Sequence, residues 1–181
     1  MREAGAVLIV MAGLPGAGKS AIADALGRAL ALPVLSVDPI EAAMHRAGID
    51  QAQPIGLAAY VVAEAIASGI LALGQAVIID AVNAVEPARQ MWRDLVTTHK
   101  TSLRWIEVEC SDADLHRRRL ERRKRELLYE PTWEDVQARR TEYEPWTDDR
   151  LVLDTTRELA DNVAAGLRYI SETREGESTS E

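Results

Sequence analysis

The stretch Gly13-Leu14-Pro15-Gly16-Ala17-Gly18-Lys19-Ser20 fits G-x-x-x-x-G-K-[ST], the pattern of a phosphate-binding loop. Glycines at 13, 16 and 18 allow a tight turn whose backbone N–H groups point inward at an anion. Lys19 brings a mobile positive charge to the outer phosphates, and the Ser20 hydroxyl can ligate Mg²⁺. Pro15, Ala17 and Ala21 complete the backbone cradle, and a helix starting here turns its positive end toward the same anion.

The flanks decide whether the pattern means anything. Before it, Val7-Leu8-Ile9-Val10-Met11 reads as a buried strand. After it, Ile22, Leu26, Ala29 and Leu30 recur at helical spacing until Pro33. Strand, glycine loop and helix are the context in which the motif binds phosphate.

Outward from the loop, strands and helices alternate. Pro33–Val37 predicts a short strand ending at Asp38, followed by a helix from Pro39 to about Ala47. Ile55 to Leu73 is helical, with Leu57, Val61, Val62, Ala65, Ile66 and Leu73 as its apolar repeat. Ala76–Asp80 is a strand, Pro87 opens a helix carrying Met91, Trp92, Leu95 and Val96, and Leu103–Cys110 is a fourth strand. Ser111 and Asp114 fit a capping box for an arginine-rich helix, and a further helix runs from Thr132 to about Glu144. Leu151–Asp154 is the fifth strand and Glu158–Ile170 the closing helix. The expected fold is α/β, three-layered, on a parallel sheet whose ligands bind beyond the carboxyl ends of the strands. One domain over residues 1–173 is expected, with a lid at about 115–146 and a disordered tail at 174–181.

Composition narrows the function. The chain of 181 residues suits one domain, and with no Phe its core must be built from aliphatics and alanine. A net charge of −8 argues against general nucleic-acid binding, though a nucleotide needs only a few local cations. No apolar run is long enough to span a bilayer, no secretory leader precedes the first strand, and the lone Cys110 suits a reducing cytoplasm. His45, His99 and His116 are scattered and offer no zinc spacing.

Asp80 ends a buried strand, where a carboxylate can hold Mg²⁺ beside Ser20. Ala81 follows it in place of the Glu that many ATP-hydrolysing motors use to activate water, which favours transfer to a bound acceptor. Asp38 can serve as a general base for an attacking hydroxyl or as the cap of a helix opened by Pro39, and the residues leave both open. In the basic cluster 117–125, Arg119 and Arg123 share a helix face and could close over the transferring phosphoryl; the other arginines read as a solvated face. Tyr60, Trp133, Tyr143 and Trp146 line an acceptor pocket or, more commonly for such residues, pack in the core.

The P-loop, Leu35-Ser36-Val37-Asp38, Ile78-Ile79-Asp80-Ala81-Val82-Asn83 and Arg119-Leu120-Glu121-Arg122-Arg123 together resemble the small P-loop kinases of the zeta-toxin and chloramphenicol-phosphotransferase group, over residues 7 to about 170. The resemblance implies a nucleoside-kinase-like sheet of order 2-3-1-4-5, with ATP and Mg²⁺ as ligands. It implies Asp38 beside the acceptor hydroxyl, Asn83 on the substrate, Arg119 and Arg123 in a mobile lid, and the Thr155–Thr156 loop near adenine. Glu41 stands where polynucleotide kinases carry Arg, and the guanine-specific N-K-x-D is absent. The reading is therefore an ATP-dependent kinase for a small-molecule hydroxyl. A nucleotide-sugar or nucleic-acid 5′-hydroxyl kinase and an ATP-binding regulator without turnover are its alternatives. Oligomeric state is left open.

Overall fold

The structure is a computed structural model, and residues 6–49, 55–122 and 131–172 are described. Arg123, the last part of the basic cluster, a stretch of the expected lid and the tail at 174–181 lie outside the described residues. Five parallel strands run β1 (Val7–Ala12), β2 (Val34–Ser36), β3 (Val77–Asp80), β4 (Ser102–Glu109) and β5 (Arg150–Asp154), in the order β2-β3-β1-β4-β5. The order and three-layer form expected from the sequence are both present.

The helices are α1 (Lys19–Leu30), α2 (Val37–Arg46), α3 (Ile55–Ala72), α4 (Glu86–His99), α5 (Ala113–Arg122), α6 (Trp133–Glu142) and α7 (Leu159–Ser171). Because side chains alternate along β1, Leu8 and Val10 face a core shared with α3 and α4, while Ile9 and Met11 face one shared with α1 and α7. All four are fully buried, as a central parallel strand covered on both faces requires. Gly166 of α7 meets Leu26 of α1, where an added Cβ would lie 3.1 Å from the leucine, so the two helices on that face pack closely.

Three local expectations change. Strand β2 stops at Ser36 and α2 starts at Val37, so Asp38 lies inside the first turn of the helix and Ser36 takes the cap position. Ser36 gives its hydroxyl to Asp80 Oδ2 at 3.1 Å and does not cap the helix. The capping box is not at Ser111 and Asp114. Asp112 caps α5, accepting from Leu115 N at 2.9 Å, because Ser111 is turned to Asp154 on the neighbouring strand. A reciprocal capping box does form at Thr132 and Asp135, opening α6.

The third change is on α3. The apolar repeat that marks it as a helix is its outer face: Leu57 and Leu73 are 66% and 75% exposed, and Val61, Val62 and Ile66 are exposed beside them. The side packed on the sheet is Ala59, Ala63, Ala67 and Leu71. Short side chains let the helix backbone sit close to the sheet, where a row of leucines would hold it off. No helix among the described residues is long and apolar enough to cross a membrane.

Candidate functional site

The P-loop takes its shape from two close approaches. Gly13 has φ +136°, and an added Cβ would lie 2.1 Å from Val108 O on β4. Gly18 has φ +105°, with its missing Cβ 2.9 Å from Thr155 Cγ2. At both points only glycine lets the loop press against the ends of β4 and β5. Gly13 N donates to Val82 O at 3.0 Å, tying the loop start to the end of β3. Gly16 is covered by Leu120 and His116 of α5.

Lys19 is nearly buried and its Nζ donates to Leu14 O at 3.1 Å, so its ammonium crosses the loop opening at the end that receives outer phosphates. Ser20 follows it at the start of α1. A cavity of about 330 Å³ opens on Gly18, Lys19, Ser20 and Ala21, and is closed on its far side by Arg119, Thr155, Arg157, Leu159 and Asn162. That volume is of the size that holds a small ligand.

Asp80 ends β3, pairs in register with both Met11 and Ser36, and is 5% exposed. A single carboxylate and a single hydroxyl are too few to form a protein-only metal cage, and among the described residues no cluster of three or more His, Cys, Asp or Glu could do so. The donor set fits Mg²⁺, which keeps several waters and takes ligands from nucleotide phosphates. Ser20 and Asp80 would hold it. Ser36, which fixes Asp80 by a hydrogen bond, is a residue sequence reasoning did not single out.

Arg119 faces the cavity and is clamped: Nη1 donates to Thr155 Oγ1 at 2.8 Å and Nη2 to Thr155 O at 2.9 Å. Thr155 in turn donates to Ala17 O, 2.7 Å away, and its N–H bonds Glu109 O at 2.9 Å. Thr155 therefore joins β4, β5, α5 and the P-loop. The described start of the expected lid, residues 115–122, is docked, since His116 and Leu120 of α5 are buried against the loop.

His116 is the largest surprise among the scattered histidines. It is 1% exposed, its Nε2 lies 2.8 Å from Pro15 O, and Trp133 meets its ring edge-on at 5.3 Å. A carbonyl only accepts, so Nε2 carries the proton and Nδ1 presents a lone pair. Burial holds its pKa below the usual histidine range, helped by the charges of Arg140, Lys19 and Arg119 against the opposing Pro15 bond. A spacing of three before Arg119 was the available signal, because the two positions straddle the helix surface that covers the loop.

Asp38 is half-buried in the first turn of α2. The phenol of Tyr60 senses its charge: burial, then Asp38, push the Tyr60 pKa up to about 12 against the Asn83 backbone bond and Arg139. Tyr60 OH accepts from Asn83 N at 3.1 Å. Asn83 itself is fully buried at φ +50°, donating to Met11 O at 2.8 Å and accepting from Trp92 Nε1 at 3.0 Å. The side chain expected on the substrate is spent inside the protein, holding the β3 end to β1 and α4.

Behind the site lies a fully buried Arg89. Its guanidinium donates to four carbonyls, those of Asn83, Ala84, Glu144 and Pro145, at 2.9–3.1 Å. Trp146 lies 3.8 Å from its Cζ and Tyr143 at 5.4 Å, so carbonyl dipoles and aromatic faces stabilise the cation. Trp146 donates to Glu107 at 3.0 Å and packs on Trp105, so this tryptophan belongs to the framework.

No curated protein matches the sequence. Among solved structures, a gluconokinase from Sinorhizobium meliloti 1021 superposes with a TM-score of 0.68 at 16% identity, over 94% of each chain. The APS kinase CysC of Mycobacterium tuberculosis, in complex with AMPPNP and APS, gives 0.69 at 17%, over 93% of this chain and 99% of that one. Kti12 of Chaetomium thermophilum, in complex with ADP-AlF3, gives 0.68 at 19%, over 91% and 100%. At these identities the likeness is one of fold. The profile of the AAA_33 family, described as an AAA domain, matches residues 8–143, and with three-quarters of its length so matched the chain belongs to that family.

Proposed function

We propose that the protein transfers the γ-phosphate of ATP to a hydroxyl of a small molecule. The observation that carries this is the grouping at one edge of the sheet: a P-loop with Lys19 across its mouth, the Ser20–Asp80 pair at the β1 and β3 ends, and Asp38 one strand further out at β2. Solved structures of the same fold include a gluconokinase and an APS kinase, the latter with AMPPNP and APS, which supports a nucleotide donor and a hydroxyl acceptor. The acidic net charge and Glu41 continue to disfavour a nucleic-acid end.

In this reading Asp38 takes the proton of the acceptor hydroxyl as its oxygen bonds the γ-phosphorus. The bond from that phosphorus to the β–γ bridging oxygen breaks, and ADP leaves. Bound Mg²⁺ would supply charge neutralisation at the phosphates. Lys19 and the loop N–H groups hold the outer phosphates, and Arg119, already aimed into the cavity, offsets charge on the nucleotide side. Such sites work by positioning and electrostatics more than by bond-making of their own.

The test is phosphate transfer from labelled ATP across sugars, cyclitols, nucleosides, antibiotics and nucleotide sugars, with Asp38→Asn beside the wild type. Turnover of an acceptor, lowered about 10²–10⁴-fold in the variant with nucleotide affinity kept, is the expected result. Acceptor turnover unchanged by the substitution would return Asp38 to a purely structural first-turn charge.

A further inference from the structure

α3 is composed unlike a surface helix. Of its eighteen residues only Glu64 is charged, and Glu64 is half-buried. A helix apolar all round belongs in an interior. Here one side meets the sheet through alanines, while the branched residues Leu57, Val61, Val62, Ile66 and Leu73 stand in solvent. Ala65, Gly69 and Ala72 lie exposed between them, so the outward stripe is uncharged over about 24 Å of helix. α2 and α4 pack on either side and leave its crest open.

Gly69 sharpens the point. A glycine inside a helix destabilises it relative to alanine, and here no described atom lies within 4 Å of the Cβ it lacks. No packing within the chain accounts for that gap. The row at spacing four, Leu57-Val61-Ala65-Gly69-Leu73, is moreover matched end to end about Ala65. Under a two-fold through Ala65, Val61 of each copy enters the gap over Gly69 of the other and Ala65 meets Ala65. Leu57 then approaches Leu73 at both ends. The contact is isologous, the same patch on both copies, and aligning two such rows crosses the helices at about 50°, the commonest packing class.

Charge selects the same occupant. A chain of net charge −8 repels its own copies, and the stripe lets two of them touch without setting acid against acid. The helix has no Lys or Arg to meet lipid headgroups. Residues 173–181 contain no Val, Leu, Ile, Met or aromatic residue to cover it.

We infer that α3 is the core of a homodimer interface, with the two-fold axis at Ala65 and Val61 seated on Gly69 in both directions. One helix face is small beside the roughly 800 Å² per partner of a standard interface, so the association is of micromolar strength, with α2 and α4 as its rim. No α3 residue lines the cavity at the P-loop, so the dimer leaves that cavity open.

Sedimentation equilibrium of the whole chain across about 1–500 µM tests it, and a monomer–dimer equilibrium with a micromolar dissociation constant is expected. Gly69→Leu separates docking from folding. Leucine is the better helix former and meets open space, so the monomer's melting temperature should hold or rise. Dimer affinity should fall about ten-fold or more, because the gap for Val61 is filled. Val61→Glu should weaken the dimer as much, by burying a charge. Ala65→Cys reads the register: the two introduced thiols, facing each other on the axis, should oxidise to a cross-linked dimer, with the one native cysteine, Cys110, buried away from them. A monomer at every concentration, wild-type affinity in Gly69→Leu or Val61→Glu, or no cross-link through residue 65 overturns the inference. So does a monomer that binds phosphatidylcholine vesicles and loses them on Val61→Glu, which gives the stripe to lipid.

Discussion

The P-loop and the segment at 143–148 both border the candidate site, yet they are held by opposite means. The loop is built from its own backbone over eight consecutive residues, and its glycines are required because β4 and Thr155 lie within 2.1 and 2.9 Å of absent Cβ atoms. The 143–148 segment has little local structure of its own. It is held from Arg89, some 55 residues away in sequence, whose guanidinium clasps Glu144 and Pro145 on one side and Asn83 and Ala84 on the other. Glu144 N adds a bond to Ala84 O, and Arg93 pairs with Asp148 at 2.6 Å. Chemistry concentrated in a short motif tolerates a remote scaffold, whereas a pocket wall borrowed from elsewhere depends on single long-range side chains.

The largest effect should come from breaking the second kind of support. Arg89→Ala takes a donor from four carbonyls, of which Ala84 O keeps Glu144 N, and removes the nearer of two cations from Trp146. A loss of about 3–5 kcal/mol is expected in chemical denaturation, near the upper end for a single substitution. Lysine should rescue little, because one ammonium cannot reproduce a planar fork. If Arg89→Ala denatures like the wild type, the contrast drawn between the two regions is wrong.

Lys19→Ala attacks the first kind. Its bond to Leu14 O is one ammonium–carbonyl contact at the loop surface, so stability should change little. Nucleotide affinity should fall ten- to a hundred-fold, about 1.5–3 kcal/mol for a charge-assisted contact. Calorimetry with an ATP analogue reads it, and equal binding would remove the loop from the mechanism.

Thr155→Val lies between the two, since one hydroxyl links the loop to Arg119 and α5. Ala17 O and Arg119 each lose a partner, and a cost of about 1–2 kcal/mol is expected, together with faster amide exchange across 113–122. Exchange in α5 unaltered by the substitution would show that His116, Leu120 and the remaining Arg119 bond to Thr155 O keep it docked.

The smallest effect concerns acid. The Arg93 hydrogen bond holds the Asp148 carboxyl below the usual aspartate range, against the opposing effect of burial. A carboxylate with a depressed folded pKa contributes stability above its unfolded value near 4, lost as pH falls through the folded one. With the two side chains 21% and 19% exposed, this is on the order of 1 kcal/mol. Asp148→Asn should therefore cost stability at pH 6 and almost none near pH 2, by denaturant midpoints; a constant difference at both would assign the effect to shape.

Some of this was open to reading from residues alone. The five strands, their parallel direction and the P-loop follow from short apolar runs alternating with helices and a motif whose partners are consecutive, while the strand order came only with the resemblance to the small P-loop kinases. Helix faces were less legible. On α3 the branched residues mark the helical period, but alanines at 59, 63 and 67 face the sheet, because closeness of approach, invisible in a hydrophobicity pattern, decided the side. Asp38 entered its helix when Ser36 turned its hydroxyl to Asp80, a competition between two strands that no local rule weighs. His116 gained its place only because α5 folds over Gly16, and Asn83 lost its expected role because Met11 and Trp92 claim its amide. What the chain determines by itself are features whose partners lie within a few residues. Which side chains face a ligand and which are consumed inside depends largely on groups 44 to 101 residues apart, and only the packed sheet brings those together.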